Sequence, residues 1–146
     1  MGKLGSDDVH KQGKIIIKKL GPKGYHNEMI VYSKKLSYTP TLISHNPKTH
    51  TIKISLECCK TLKDIRVKDR KQYYPQIRKL FRQLKKDTGY YHKDLAPPNI
   101  IVNEKTGKVI FIDFADLIKK KKDMKEYLKK HKPHIYRFLE TVGIIN

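Results

Sequence analysis

The sequence predicts an α+β fold: a small N-terminal β-sheet with one helix, followed by a mainly helical second half that contains a single β-hairpin. Three observations carry this expectation. Residues 14–19 and 51–57 are rich in β-branched side chains, and Ile52, Ile54 and Leu56 alternate with Thr51, Lys53 and Ser55 as on a strand with one buried face. Residues 74–87 bring Ile77, Leu80, Phe81 and Leu84 onto one helical stripe, with Arg78, Lys79, Arg82 and Lys85 mostly elsewhere. Residues 100–112 read as two short apolar strands around the turn Glu104-Lys105-Thr106-Gly107.

The remaining elements follow in order. The first strand, KIIIKK, is broken by Gly21-Pro22-Lys23-Gly24, after which residues 25–36 read as a helix with Met29, Tyr32 and Leu36 at helical spacing. Residues 41–44 and 51–57 form two strands joined by the polar turn His45-Asn46-Pro47-Lys48. Thr61-Leu62-Lys63-Asp64 begins a short helical stretch with an N-cap, and Gly89 is the stop signal of the 74–87 helix. From Asp116 onward the chain reads as helical and Lys-rich, with Pro133 opening a last helix that ends near Gly143. The chain has 146 residues, no internal repeat and no long linker, which fits one domain.

Composition narrows the function classes. A hydrophobic fraction of 38% is enough for a folded core, no apolar run is long enough to span a bilayer, and the start lacks the apolar core of a secretory signal. The expectation is a cytoplasmic, intracellular protein. Cys58 and Cys59 are adjacent, a geometry that strains a mutual disulfide, and no spaced ligands complete a zinc pattern, so they read as reduced thiols at a strand end. Lys and Arg number 33 against 14 Asp and Glu, a net charge of +19. Only five of the basic residues are Arg, the side chain that reads guanine bidentately, so the charge predicts attraction of polyanions without specifying one.

The chemistry concentrates in one loop. His92-Lys93-Asp94-Leu95-Ala96-Pro97-Pro98-Asn99 reads H-x-D-L-x-x-x-N before an apolar strand, and thirteen residues separate Asn99 from Asp113 in Ile112-Asp113-Phe114. This combination resembles the catalytic loop and metal-binding segment of the protein-kinase-like superfamily. A hairpin brings its two ends together, so Asn99 and Asp113 converge as oxygen donors suited to Mg²⁺, a hard cation that also takes phosphate oxygens. The resemblance makes Asp94 the base that receives the acceptor hydroxyl's proton, and His92 a structural residue bonded to backbone near Asp113.

The first half is similar to the same family. Lys18 ends an Ile-Ile-Ile-Lys strand like the family's V-A-I-K, with Lys19 as rival. Glu28, the first Glu in the chain, lies where the family places that lysine's partner. Glu57-Cys58-Cys59 occupies the family's hinge, so the backbone of Glu57 and Cys59 would meet adenine. Departures are equally plain. Gly2 and Val9 match the glycine-rich phosphate loop, but Leu4 and Asp7 stand at its other glycines. Ala115 replaces the glycine of D-F-G, Lys93 stands where many regulated kinases have Arg, and Ala96 replaces the lysine of Ser/Thr-specific loops. After Asp113 only 33 residues follow, without an A-P-E motif.

The resemblance therefore points to small atypical members: RIO kinases, lipopolysaccharide kinases and the kinase of the tRNA-threonylcarbamoyladenosine complex, with viral miniature kinases compatible in size. It implies a minimal two-lobed protein-kinase-like fold: one domain over 1–146, an N-lobe of about 1–57, a hinge of about 57–60 and a truncated helical C-lobe of about 61–146. The implied activity is ATP- and Mg²⁺-dependent phosphoryl transfer to a hydroxyl, Ser/Thr protein substrates being favoured by analogy. Lys18 with Glu28 would position phosphate, Asp94 would be the base, and Asn99 and Asp113 would hold metal and nucleotide. Two other readings stay open: a pseudokinase that binds a cellular kinase or complex, and a basic RNA-associated module. The footprint of the latter would be residues 119–122 with Lys125, Lys129, Lys130 and Lys132. A solvated helix face is the simpler account of that run.

Overall fold

The computed structural model describes the backbone of residues 8–12, and residues 15–56 and 60–146 in full. Strand β1 (Asp8–Gln12) pairs antiparallel with β2 (Ile15–Lys19), with Val9 opposite Lys18. Val9 of the suggested phosphate loop thus lies in a strand, and residues 2–7 lie outside the described residues. Helix α1 (Pro22–Tyr32) follows, then β3 (Thr41–Asn46) and β4 (Thr51–Ser55), completing a four-stranded sheet of order β1-β2-β4-β3. Ile16 faces Ile54 and Lys18 faces Ile52 across β2 and β4, which sets one apolar face inward.

Helix α1 starts and stops earlier than the spacing of Met29, Tyr32 and Leu36 suggests. Pro22 enters at the first turn with its φ already helical, after Gly21 in extended geometry. Lys35 then turns left-handed at φ 54°, which places Leu36 beyond the helix, packed against the core from a loop. The face that α1 buries is Asn27, Glu28, Val31 and Tyr32.

The second half begins with β5 (Lys60–Thr61) and short 3-10 turns, the first at Leu62–Asp64 where a helical stretch is expected. Helix α2 (Tyr74–Thr88) buries Ile77, Phe81 and Leu84 and ends on Gly89 at φ 86°, as its sequence dictates. Then come β6 (Tyr91–His92), the hairpin β7 (Ile100–Asn103) and β8 (Lys108–Phe111), β9 (Leu117–Ile118), α3 (Lys121–His131) and α4 (Pro133–Val142). The hairpin joins β5 in a sheet of order β5-β7-β8. Residues 117–118 correct the expectation of helix from Asp116 onward. They pair with Tyr91 and His92, a partner distant in sequence that local propensity does not register.

Helix α2 packs on β6 and α4, and α3 packs on α4 and β9, so one apolar core runs from Ile16 to Ile145. Among the described residues no helix is long and apolar enough to cross a membrane. The small antiparallel sheets and four helices among the described residues are those of a minimal kinase-like fold.

Candidate active site

Strand alternation places Lys18 on the inward face of β2, 2% exposed, while Lys19 is exposed. Glu28, on the buried face of α1, meets it: Lys18 Nζ donates to Glu28 Oε1 at 2.6 Å, and the carboxylate's Oε2 accepts the backbone N–H of Phe114. Burial pushes the Glu28 carboxyl up, against the downward pull of Lys18. Lys18 Nζ also lies 3.7 Å from Asp113 Oδ1. Three residues far apart in the chain therefore form one charged cluster.

The loop from β6 to β7 is tied together by its own polar groups. The N–H of Asp94 donates to His92 Nδ1 at 3.1 Å, so the imidazole proton sits on Nε2, which donates to the carbonyl of Ile112 at 2.8 Å. His92 is fully buried, and burial pushes its imidazole below the usual range, in keeping with a neutral ring that orients the loop. The amide nitrogen of Asn99 donates to the Asp94 carbonyl at 2.8 Å, turning its amide oxygen away from that contact. Ile112 N–H donates to the Asn99 carbonyl at 3.0 Å, one pair beyond the Ile100–Phe111 register. The hairpin thus closes its two ends on each other, with Asp113 the next residue. Asp113 holds φ 63°, a left-handed backbone costing about 1–2 kcal/mol for most L-residues and least unusual for Asn and Asp.

Contacts on Phe114 and Ala115 lock this segment to α1. The Phe114 ring meets Tyr32 edge-on at 5.6 Å and His92 at 5.1 Å, and Asn27 Nδ2 donates to the Ala115 carbonyl at 2.8 Å. The Tyr32 hydroxyl is buried without a hydrogen-bond partner, its pKa pushed well up by burial. It lines a cavity of about 10 Å³, room for one water, shared with Lys18, Asp113, Ile16, Ile54, Leu56 and Ile112.

Sequence reasoning does not bring Asn27, Tyr32 or Lys132 to the site: Tyr32 enters it only as a helix-face residue and Lys132 only as part of the basic run. Lys132 Nζ donates to Asp94 Oδ1 at 2.7 Å from the corner between α3 and α4. Among 28 lysines in one dimension, only the break made by Pro133 sets it apart. Of the basic run, Lys121, Lys122, Lys125 and Lys129 line a surface cleft of about 540 Å³ with Tyr136. The hinge residues Glu57 and Cys59, and Cys58 between them, lie outside the described residues.

The residues present suit a nucleotide phosphate chain with Mg²⁺. The carboxylate of Asp113 and the amide oxygen of Asn99 are hard donors, and the Lys18 ammonium group 3.7 Å from Asp113 Oδ1 is a cation suited to phosphate oxygens. A family model, RIO domain, matches residues 51–145, close to two thirds of the chain. The match contains Asp94, Asn99, Asp113 and Lys132, while Lys18 and Glu28 precede it. Among curated proteins none matches the sequence.

Proposed function

The chain belongs to the RIO domain family, an atypical protein-kinase-like family, and from that premise we propose that it transfers the γ-phosphoryl group of ATP to a hydroxyl, most simply that of Ser or Thr in a protein. The observation that carries this reading is the cluster in which Lys18 Nζ sits 2.6 Å from Glu28 and 3.7 Å from Asp113. Lys18, fixed by Glu28, binds phosphate; Asp113 and Asn99 hold Mg²⁺, which when bound neutralises charge on the phosphates. Asp94 accepts the proton of the attacking hydroxyl, while the acceptor oxygen bonds to phosphorus and the bond to the bridging oxygen of ADP breaks. The lobes meet near residues 57–60, supported by sheet β1-β2-β4-β3 lying wholly before that point and β5-β7-β8 wholly after 59. The lysine-lined cleft supports only non-specific attraction of polyanions.

Calorimetry and single-turnover transfer from Mg·ATP test the reading together. Asp113→Asn should weaken ATP binding in Mg²⁺ far more than metal-free binding. Asp94→Asn should bind Mg·ATP normally and slow transfer by about 10²-fold or more. An inert wild type that still binds Mg·ATP would favour the pseudokinase reading.

A further inference from the structure

We propose that Lys132 is a positioning residue for phosphoryl transfer, supplying from the α3–α4 corner the cation that the catalytic loop lacks at Ala96. The inference rests on Asp94 being the base. Asp94 is held at three atoms: its N–H by His92 Nδ1, its carbonyl by Asn99 Nδ2 and its Oδ1 by Lys132 Nζ at 2.7 Å. The first two fix only the backbone. Lys132 alone among these contacts fixes the carboxylate, and by engaging Oδ1 it leaves Oδ2 to take the proton.

The corner that delivers Lys132 is itself rigid. Its backbone N–H donates to the Leu128 carbonyl at 2.8 Å, closing α3, and its carbonyl accepts from Ile135 at 3.0 Å and Tyr136 at 3.2 Å, opening α4. Pro133 forbids continuation of α3, so the chain turns at Lys132 with φ −140° and ψ 64°. Helix α3 is anchored to the loop next to Asp94, where Lys93 Nζ lies 3.6 Å from the centroid of the Tyr127 ring. Lys93 itself pairs with Asp116 at 3.7 Å, so it is Lys132 that reaches Asp94. The contact also holds the ammonium group firmly protonated: hydrogen bonding to Asp94 raises the pKa of Lys132 despite partial burial. Family resemblance would seek this lysine two residues after Asp94; here a different part of the chain brings it to the same carboxylate.

Lys132→Met and Lys132→Arg in the full chain separate this role from a structural one. The probes are Mg·ATP with radiolabelled γ-phosphate, read as total single-turnover transfer to water and to the protein, calorimetric Mg·ATP affinity, and thermal melting. Lys132→Met should slow transfer by about 10-fold or more, the scale of a misoriented reacting group. Affinity should stay within about 2-fold, since Lys132 acts on the base and not on nucleotide docking. Lys132→Arg should recover most of the rate because it restores the charge. An unchanged or faster rate in Lys132→Met, a matching loss of affinity or folding, or an Arg variant as slow as Met would overturn the inference while leaving the proposed activity standing. A wild type that transfers nothing would overturn both.

Discussion

Helix α2 buries Ile77, Phe81 and Leu84 along one apolar stripe, whereas the face that α1 buries carries Asn27 and Glu28 beside Val31 and Tyr32. The first is held by removal of hydrocarbon from water, the second largely by partners that appear only after folding: Lys18, the N–H of Phe114 and the carbonyl of Ala115. A stripe of apolar residues packs well against many surfaces. A buried carboxylate is tolerable only where a cation and a donor meet it, so the α1 face ties stability to the geometry of the site.

The largest expected effect breaks both attachments and separates them by rescue. Phe81→Ala in α2 and Lys18→Met beside α1 should each cost about 3–5 kcal/mol, one by leaving a cavity and the other by stranding the Glu28 charge. Adding Glu28→Gln to Lys18→Met removes that charge and keeps an acceptor for the Phe114 N–H, so urea denaturation should recover half or more of the loss. A double variant no more stable than Lys18→Met would mean that α1 is held by packing, as α2 is.

Acidification should sharpen the contrast next. The buried His92 imidazole is pushed below its usual range, so as pH falls through about 6.5 the unfolded chain gains a proton that the folded one refuses. Its contribution is therefore complete above that pH and lost on the acid side, at no more than about 1.4 kcal/mol per pH unit. Glu28, pushed up by burial, has the opposite sign: it contributes at low pH and fades as pH rises through its folded-state value. Comparing wild type with His92→Asn at pH 7.5 and 5.5 cancels the Glu28 term, and the advantage of wild type should shrink at the lower pH. A constant difference would show that His92 titrates alike in both states.

The smallest effect is a gain. Gly24 lies inside α1, and a Cβ there would sit 3.4 Å from Ala115 Cβ, an ordinary contact. Gly24→Ala should raise stability by about 0.5–1 kcal/mol through helix propensity. A loss in thermal melting would mean that the close approach of α1 to Ala115 tolerates no methyl group.

By itself the sequence determined those features in which neighbours along the chain carry the signal. The stripe and stop of α2, the hairpin of β7 and β8 and the spacing from Asp94 through Asn99 to Asp113 are local, because helix and strand periods and turn chemistry act over a few residues. Strand alternation leaned toward Lys18 over Lys19, and burial in the folded chain decided between them. Tertiary structure alone decided the rest. The span of α1 depended on Pro22 and on a face whose polar residues look solvent-bound until Lys18, Phe114 and Ala115 surround them. Residues 117–118 became a strand because Tyr91 and His92 offered an unpaired edge. Lys132 became the partner of Asp94 because a corner 38 residues away folds against the loop. A charge taken out of water depends on whatever arrives from elsewhere, and for Asp94 with Lys132, or Glu28 with the N–H of Phe114, no short window of sequence contains both members of the pair.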